Sequence, residues 1–211
     1  SVTGSDAEAG LLRAALEQYG VVTEHMLADA QRVTLAKQRV VSGAQLVVRF
    51  DQGSTTDLSA RLEQELIRRL EALYSSCDAL ILSDYAYGIL TPGVIAAIRR
   101  LQQADPRPLI VDSKRLDIYR DLGVTAVKPN YAEAAGLLGL KSIPPAPGSA
   151  WKDGGCSEEE RICQMMEHGE RLLELTGAQI VALTLDSSGA LIFERDGQPC
   201  RTYARAQPNS R

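Results

Sequence analysis

The segment Lys128-Pro129-Asn130-Tyr131-Ala132-Glu133 brings a cation, an amide and a carboxylate within one short stretch, between the β-prone run Val124 to Val127 and a helix-like stretch, Glu133 to Leu140. Those are the groups of a phosphate and cation site. Three other apolar runs end in polar groups as well. Asp84 follows Ala79-Leu80-Ile81-Leu82, Asp112 and Lys114 follow Leu109-Ile110-Val111, and Asp186, Ser187 and Gly189 follow Ile180 to Leu185. In an open α/β sheet such strand ends meet at one ligand crevice. Right-handed crossovers put them on one edge whatever the strand order.

The elements that must position these groups alternate between helical and strand patterns. Asp6 to Gln18 has apolar residues at helical spacing, and Gly20 sits where a C-cap is expected. Leu58 to Leu73 reads as an amphipathic helix. Thr91-Pro92 opens another, with Thr91 as N-cap and Pro92 at the first helical position. A single helix is expected from Ser157 to Leu175, capped by Ser157 with Glu160 three residues on, and strands at Ile180 to Leu185, Ala190 to Glu194 and Cys200 to Tyr203 close the chain. The segment Lys141 to Gly155, rich in Pro and Gly, reads as a surface loop. Four short apolar strands interleaved with helices indicate an α/β fold with a mostly parallel central sheet and helices on both faces. Val33 to Val41 and Gln45 to Phe50, around the turn signal Ser42-Gly43, break the alternation and read as a small β flap at about 32 to 51.

Composition limits the rest. With 211 residues and 45% hydrophobic content, the chain fits one domain, 1–211, better than two. No apolar stretch is long enough to span a membrane. A net charge of -4 argues against a nucleic-acid partner, which needs a basic face. Cys77, Cys156, Cys163 and Cys200 lack the spacing of a zinc site and read as reduced thiols in the cytoplasm. There is no G-x-G-x-x-G and no G-x-x-x-x-G-K-[ST], so a nucleotide would have to be held by a helix N-terminus and side chains. The chain starts at Ser1 without Met and stops at Asn209-Ser210-Arg211, which reads as the middle of a larger domain, incomplete at both ends.

Each candidate has an ordinary structural reading. Asn130-x-x-Glu133 is also a capping box, in which the Asn130 side chain and the Glu133 carboxylate each satisfy a backbone N–H. Asp84 and Asp112 could be turn residues, and Asp186 to Gly189 a hairpin turn. Lys114 is a solvated charge by default. Lys37, Arg39 and Arg49 alternate with apolar residues, which suits the wet face of a hairpin.

Taken together, the motifs resemble those of the ribokinase-like (PfkB) carbohydrate kinases. The resemblance rests on Val2-Thr3-Gly4-Ser5-Asp6, Thr34 to Val40 with Gln45 to Asp51, Leu82-Ser83-Asp84-Tyr85-Ala86-Tyr87-Gly88, Val111-Asp112-Ser113-Lys114, Lys128 to Glu133, and Thr184-Leu185-Asp186-Ser187-Ser188-Gly189. Their order and spacing are most similar to the heptose-7-phosphate kinases of lipopolysaccharide precursor synthesis, including the kinase domain of bifunctional ADP-heptose synthesis proteins. The resemblance implies a ribokinase-like fold with the hairpin as a lid. ATP is the implied phosphoryl donor, with Mg²⁺. Asn130 and Glu133 are implied near the nucleotide phosphates and the Mg²⁺ shell, with Glu133 on the metal side. Asp186, Ser187 and Gly189 are implied against the nucleotide, and Lys114 offsets charge on the transferred group. Lys37, Arg39, Arg49 and Asp84 are the implied partners of a sugar phosphate. The lid further implies pairing between subunits in a homodimer.

The sequence departs from that pattern at three places. Tyr87 stands where the heptose branch usually has lysine, and Ser113 where it usually has proline. No Gly-Ala-Gly-Asp occurs in the chain, although Gln207 to Arg211 is similar to the segment immediately before it. The family's base is the Asp of that motif, so the 211 residues alone are expected to show no turnover. Two alternatives stay open: a kinase of the family acting on an unphosphorylated sugar or a nucleoside, and a non-catalytic nucleotide- or sugar-binding module.

Overall fold

The computed structural model describes residues 1–43, 45–140 and 158–203. The expected Pro/Gly loop, the Ser157 cap and the segment 207–211 lie outside the described residues. The chain forms two compact units, residues 1–76 with 86–98, and residues 77–85 with 99–211.

The first unit begins with a strand, β1 (Val2–Thr3), a helix, α1 (Ala7–Gln18), and a strand, β2 (Leu27–Ala28), parallel to the first. Asp6 caps α1 through a hydrogen bond from the Ala9 N–H, and Gly20 takes the left-handed turn that ends it. Strands this short carry no periodicity, so β1 and β2 were invisible to pattern. The hairpin β3 (Ala36–Ser42) and β4 (Gln45–Gln52) is antiparallel, with a register shift between Val40 and Val41. Helix α2 (Ala60–Tyr74) follows, and helix α3 (Pro92–Ala104) starts where Thr91 accepts from the Val94 N–H. Val2, Leu27 and Leu58 form the core of this unit, with Leu62, Leu66 and Ile89 packed against it.

The second unit is built on one sheet. Its strands are β5 (Leu80–Asp84), β6 (Leu109–Ser113), β7 (Ala126–Val127), β8 (Ile180–Thr184), β9 (Ala190–Glu194) and β10 (Cys200–Thr202). They lie side by side in sequence order; β5 to β8 are parallel, and β9 and β10 are antiparallel additions. One face of the parallel strands is the buried one, with Leu109, Val111, Val127, Val181 and Leu183, while the alternate positions of β6 and β8 are half-buried and Ile81 of β5 is 68% exposed. A 3-10 segment, Leu116–Leu122, buries Leu116, Tyr119 and Leu122 at every third position, the spacing that eclipses side chains in this helix type. Helix α4 (Tyr131–Leu137) then leads off the β7 edge.

Two sequence expectations are corrected here. Asp84 and Asp112 are not turn residues: both lie inside strands, with Asp84 in register with Ser113 and Asp112 with Ser83. The single helix expected up to Leu175 is two, α5 (Glu158–Glu167) and α6 (Gly169–Thr176), broken at His168. Close packing accounts for the residue type at the break. A Cβ on Gly169 would run into the Phe193 ring, so only glycine lets the chain pass β9 this closely.

Candidate functional site

The register of the second unit brings the predicted strand-end groups to one edge. Asp84 pairs with Ser113 at the ends of β5 and β6, Lys114 follows directly, and Asn130, beyond β7, bridges Thr184 at the end of β8. Asp186 comes two residues later. Lys114 is exposed, and no described residue bonds its ammonium. Lys128 lies 3.4 Å from Asp112, so this lysine is paired along the edge.

Asn130 and Glu133 form the capping box that their spacing allows. The Glu133 N–H donates to Asn130 Oδ1 at 2.9 Å, and the Asn130 N–H donates to Glu133 Oε2 at 2.9 Å. This does not exhaust the carboxylate, because Oε1 has no hydrogen bond to a described residue. Mg²⁺ keeps several waters and recruits one or two carboxylates beside substrate phosphates, so a half-buried carboxylate with one oxygen outside the cap fits the ion that the family implies. Among the described residues, no cluster of three or more His, Cys, Asp or Glu could hold a metal by itself.

Asp84 is more enclosed than its position in the sequence suggested. It is 6% exposed, and its Oδ2 accepts from the Tyr119 hydroxyl at 2.7 Å, the Ser113 hydroxyl at 3.3 Å and Arg115 Nη2 at 3.3 Å. Burial first, and then the bond to this carboxylate, push the Tyr119 phenol well above its ordinary pKa. Tyr119 was missed in the sequence, although Leu116, Tyr119 and Leu122 recur at the three-residue spacing of a buried face.

The segment after β8 is the hairpin turn that its composition allowed. Leu185 N–H donates to the Gly189 carbonyl, and Asp186 takes a left-handed φ of 52°, which Asp tolerates better than most residues. Gly189 has a φ of 90°, and a Cβ there would collide with the Thr202 carbonyl of β10. The glycine is therefore required by the neighbouring strand before any ligand is considered.

The basic hairpin residues belong to the first unit and share one face. Lys37 is opposite Asp51 and Arg39 opposite Arg49, while Gln38, Val40, Val48 and Phe50 make the other face. Both faces are exposed. Arg49 is tied to Asp51 by two bonds, 2.9 and 2.6 Å, which hold the Asp51 carboxyl below its usual range. The Lys37 ammonium lies 5.4 Å from the centre of the Tyr87 ring. At the foot of the hairpin, Asp6 accepts from the Thr34 N–H at 2.7 Å and the Gly4 N–H donates to the Thr34 hydroxyl at 2.8 Å. Bonds from the Thr34 hydroxyl and amide keep the Asp6 carboxyl ionised below the usual range. Two motifs far apart in sequence, Val2 to Asp6 and the start of the hairpin, are thus one hydrogen-bonded corner.

A family model described as pfkB family carbohydrate kinase matches residues 1–207. The chain belongs to the PfkB carbohydrate kinases. Among curated relatives, this PfkB chain is 30% identical over 206 residues to the bifunctional protein HldE of Desulfatibacillum aliphaticivorans, covering 98% of the chain and 39% of that protein. It is 41% identical over 140 residues to the HldE of Azorhizobium caulinodans, covering 66% of the chain and 29% of the relative. The chain thus spans about two fifths of the length of the first of these. Its fold is ribokinase-like. It matches the ribokinase of Giardia lamblia with a TM-score of 0.68 at 13% identity, covering 99% of the chain and 59% of that structure. A ribokinase of Cryptococcus neoformans in complex with ADP gives 0.68 at 15% identity, over 99% and 62%. No helix among the described residues is long and apolar enough to cross a membrane.

Proposed function

We propose that this chain is the kinase part of a cytoplasmic enzyme that passes the γ-phosphoryl group of ATP to a hydroxyl of a sugar phosphate, heptose 7-phosphate in the reading its sequence supports best. The observation that carries the proposal is the convergence of Lys114, Asn130, Glu133 and Asp186 on the carboxyl edge of the parallel strands β5 to β8. That edge is where open α/β sheets take ligands.

Positioning and charge do most of the work in phosphoryl transfer. Lys114, exposed and without a partner among the described residues, supplies a mobile positive charge for the transferred group. Asn130 and Glu133, locked by their reciprocal cap, hold their rotamers before nucleotide arrives. Glu133, whose Oε1 lies outside the cap, would help hold the Mg²⁺ that accompanies the nucleotide, and that ion would supply neutralisation of charge on the phosphates. The backbone of Asp186 to Gly189, with Ser187, flanks the nucleotide. Asp84 orients the acceptor sugar from a fixed position. On the lid, Lys37 and Arg39 attract the phosphate of the sugar, with Arg49, opposite Arg39, shared between that phosphate and Asp51. The proton of the attacking hydroxyl goes to the Asp of a Gly-Ala-Gly-Asp motif, which is not among these 211 residues. The apolar lid face, with Val40, Val48 and Phe50 exposed, is where a second copy would pair.

One observation favours the alternative of an unphosphorylated acceptor. Arg49 is already neutralised by Asp51, which leaves less charge for a sugar phosphate. A panel of phosphorylated and unphosphorylated sugars with ATP decides between the two: Arg39→Ala raises the KM for the acceptor only if the acceptor carries a phosphate.

A further inference from the structure

We infer that Arg161 is a nucleotide-phosphate contact, held in reserve by Asp186 until an anionic ligand takes that carboxylate's place. The inference rests on reading the β7 and β8 edge as the nucleotide side. Arg161 lies in the first turn of α5, and its side chain is only 12% exposed. Its guanidinium stacks on the ring of Tyr131 at 4.0 Å, a platform that is itself buried and pinned by its hydroxyl bonding Gln164 Oε1 at 2.7 Å. Stacking uses the face of the guanidinium and leaves its N–H edges for hydrogen bonds.

Those edges are poorly served. Nε is buried and has no partner among the described residues, and Nη2 reaches only Asp186 Oδ2, at 4.0 Å. Asp186 is 75% exposed, so its carboxylate stays hydrated and offsets little of the cost of burying the cation. A phosphate, which can accept two parallel N–H bonds from one guanidinium, is a better partner. The position agrees. Tyr131 follows Asn130, which bridges Thr184, and Asp186 comes two residues after Thr184, so the stacked Arg161 is fixed to the ends of β7 and β8. The competing account makes Arg161 a strut that joins α5 to α4 through Tyr131.

Calorimetric titration of the protein with Mg-ADP and with adenosine separates the two, because only a phosphate contact distinguishes these ligands. With Arg161→Met, which keeps a long apolar stem on Tyr131, Mg-ADP weakens by about tenfold or more, the loss expected for a charge-assisted pair, while adenosine changes less than about twofold. Arg161→Lys falls between. Asp186→Asn, which tolerates the same left-handed backbone, tightens Mg-ADP by about threefold when Arg161 is present and not when it is Met, by removing the competing carboxylate. Equal losses for both ligands in Arg161→Met, or none, overturn the inference, and weaker Mg-ADP binding in Asp186→Asn overturns the reserve role of that carboxylate. Wild-type protein that binds neither ligand removes the nucleotide reading itself, and the inference with it.

Discussion

The Tyr119 hydroxyl donates to Asp84 Oδ2 across 2.7 Å, joining the 3-10 segment after β6 to the end of β5 between two buried side chains. A hydrogen bond to a buried charge is among the stronger ones a fold can make. It fixes Asp84, one of the groups expected to face a sugar, from behind.

Tyr119→Phe is therefore expected to cost about 1–3 kcal/mol of stability at pH 7, measured by urea denaturation. The pH dependence follows from the raised phenol pKa. Above about pH 10 the unfolded chain gives up this proton and the folded chain keeps it, so stability is full below that pH and falls as pH rises, by at most about 1.4 kcal/mol per unit. Tyr119→Phe lacks that share of the alkaline limb. A variant whose alkaline limb matches that of wild type contradicts the assignment.

Glu133→Gln and Glu133→Ala should part company. Glutamine still completes a capping box, so the first variant keeps its stability to within about 0.5 kcal/mol, whereas alanine loses about 0.5–1.5 kcal/mol, the worth of the one hydrogen bond to the Asn130 N–H. Both raise the KM for Mg-ATP, because both lose the charge. Kinetics and melting measured on the same preparations give the comparison, and normal Mg-ATP kinetics in Glu133→Gln would leave the residue as a helix cap alone.

Gly189→Ala destabilises the protein by about 1–3 kcal/mol even without nucleotide, because φ 90° suits glycine and the Thr202 carbonyl occupies the Cβ position. Chemical denaturation of the free protein tests this. Unchanged stability with impaired nucleotide binding would return the glycine to a ligand role.

On the lid, Lys37→Ala and Arg39→Ala are expected to raise the KM for a sugar phosphate by about tenfold each while the KM for ATP and the melting temperature hold, since both side chains are exposed. Steady-state kinetics with each substrate varied in turn measures the split. Equal effects on both substrates sink the assignment of the lid to the sugar.

Much of this was legible before the structure. The apolar runs that became β5, β6 and β8 declared themselves because Ile81, Ile110 and Ile180 are apolar at positions that alternate with the buried ones, so no polar alternation interrupts them, and the Asn130 to Glu133 spacing declared its cap. The pairs in which one member is distant in sequence did not. Nothing near Arg161 signals that it will stack on Tyr131, and nothing near Gly189 signals that Thr202 will crowd it. The break at His168 was hidden because α5 and α6 have compatible helical patterns, and only Phe193 of β9 explains the glycine that opens α6. The corner of Gly4, Asp6 and Thr34 lay between the two: its residues stood out as motifs, but their shared purpose is a hydrogen-bond pattern that spacing cannot show.

The central claim is that a phosphorylated sugar is the acceptor at this strand edge. ADP release by the full-length protein, with ATP and either heptose 7-phosphate or the unphosphorylated heptose, tests it most directly. Turnover with heptose 7-phosphate that depends on Lys114 and Glu133, and little with the free sugar, is the expected result. Equal or greater turnover with the unphosphorylated sugar, or turnover indifferent to Lys114→Ala, would contradict it.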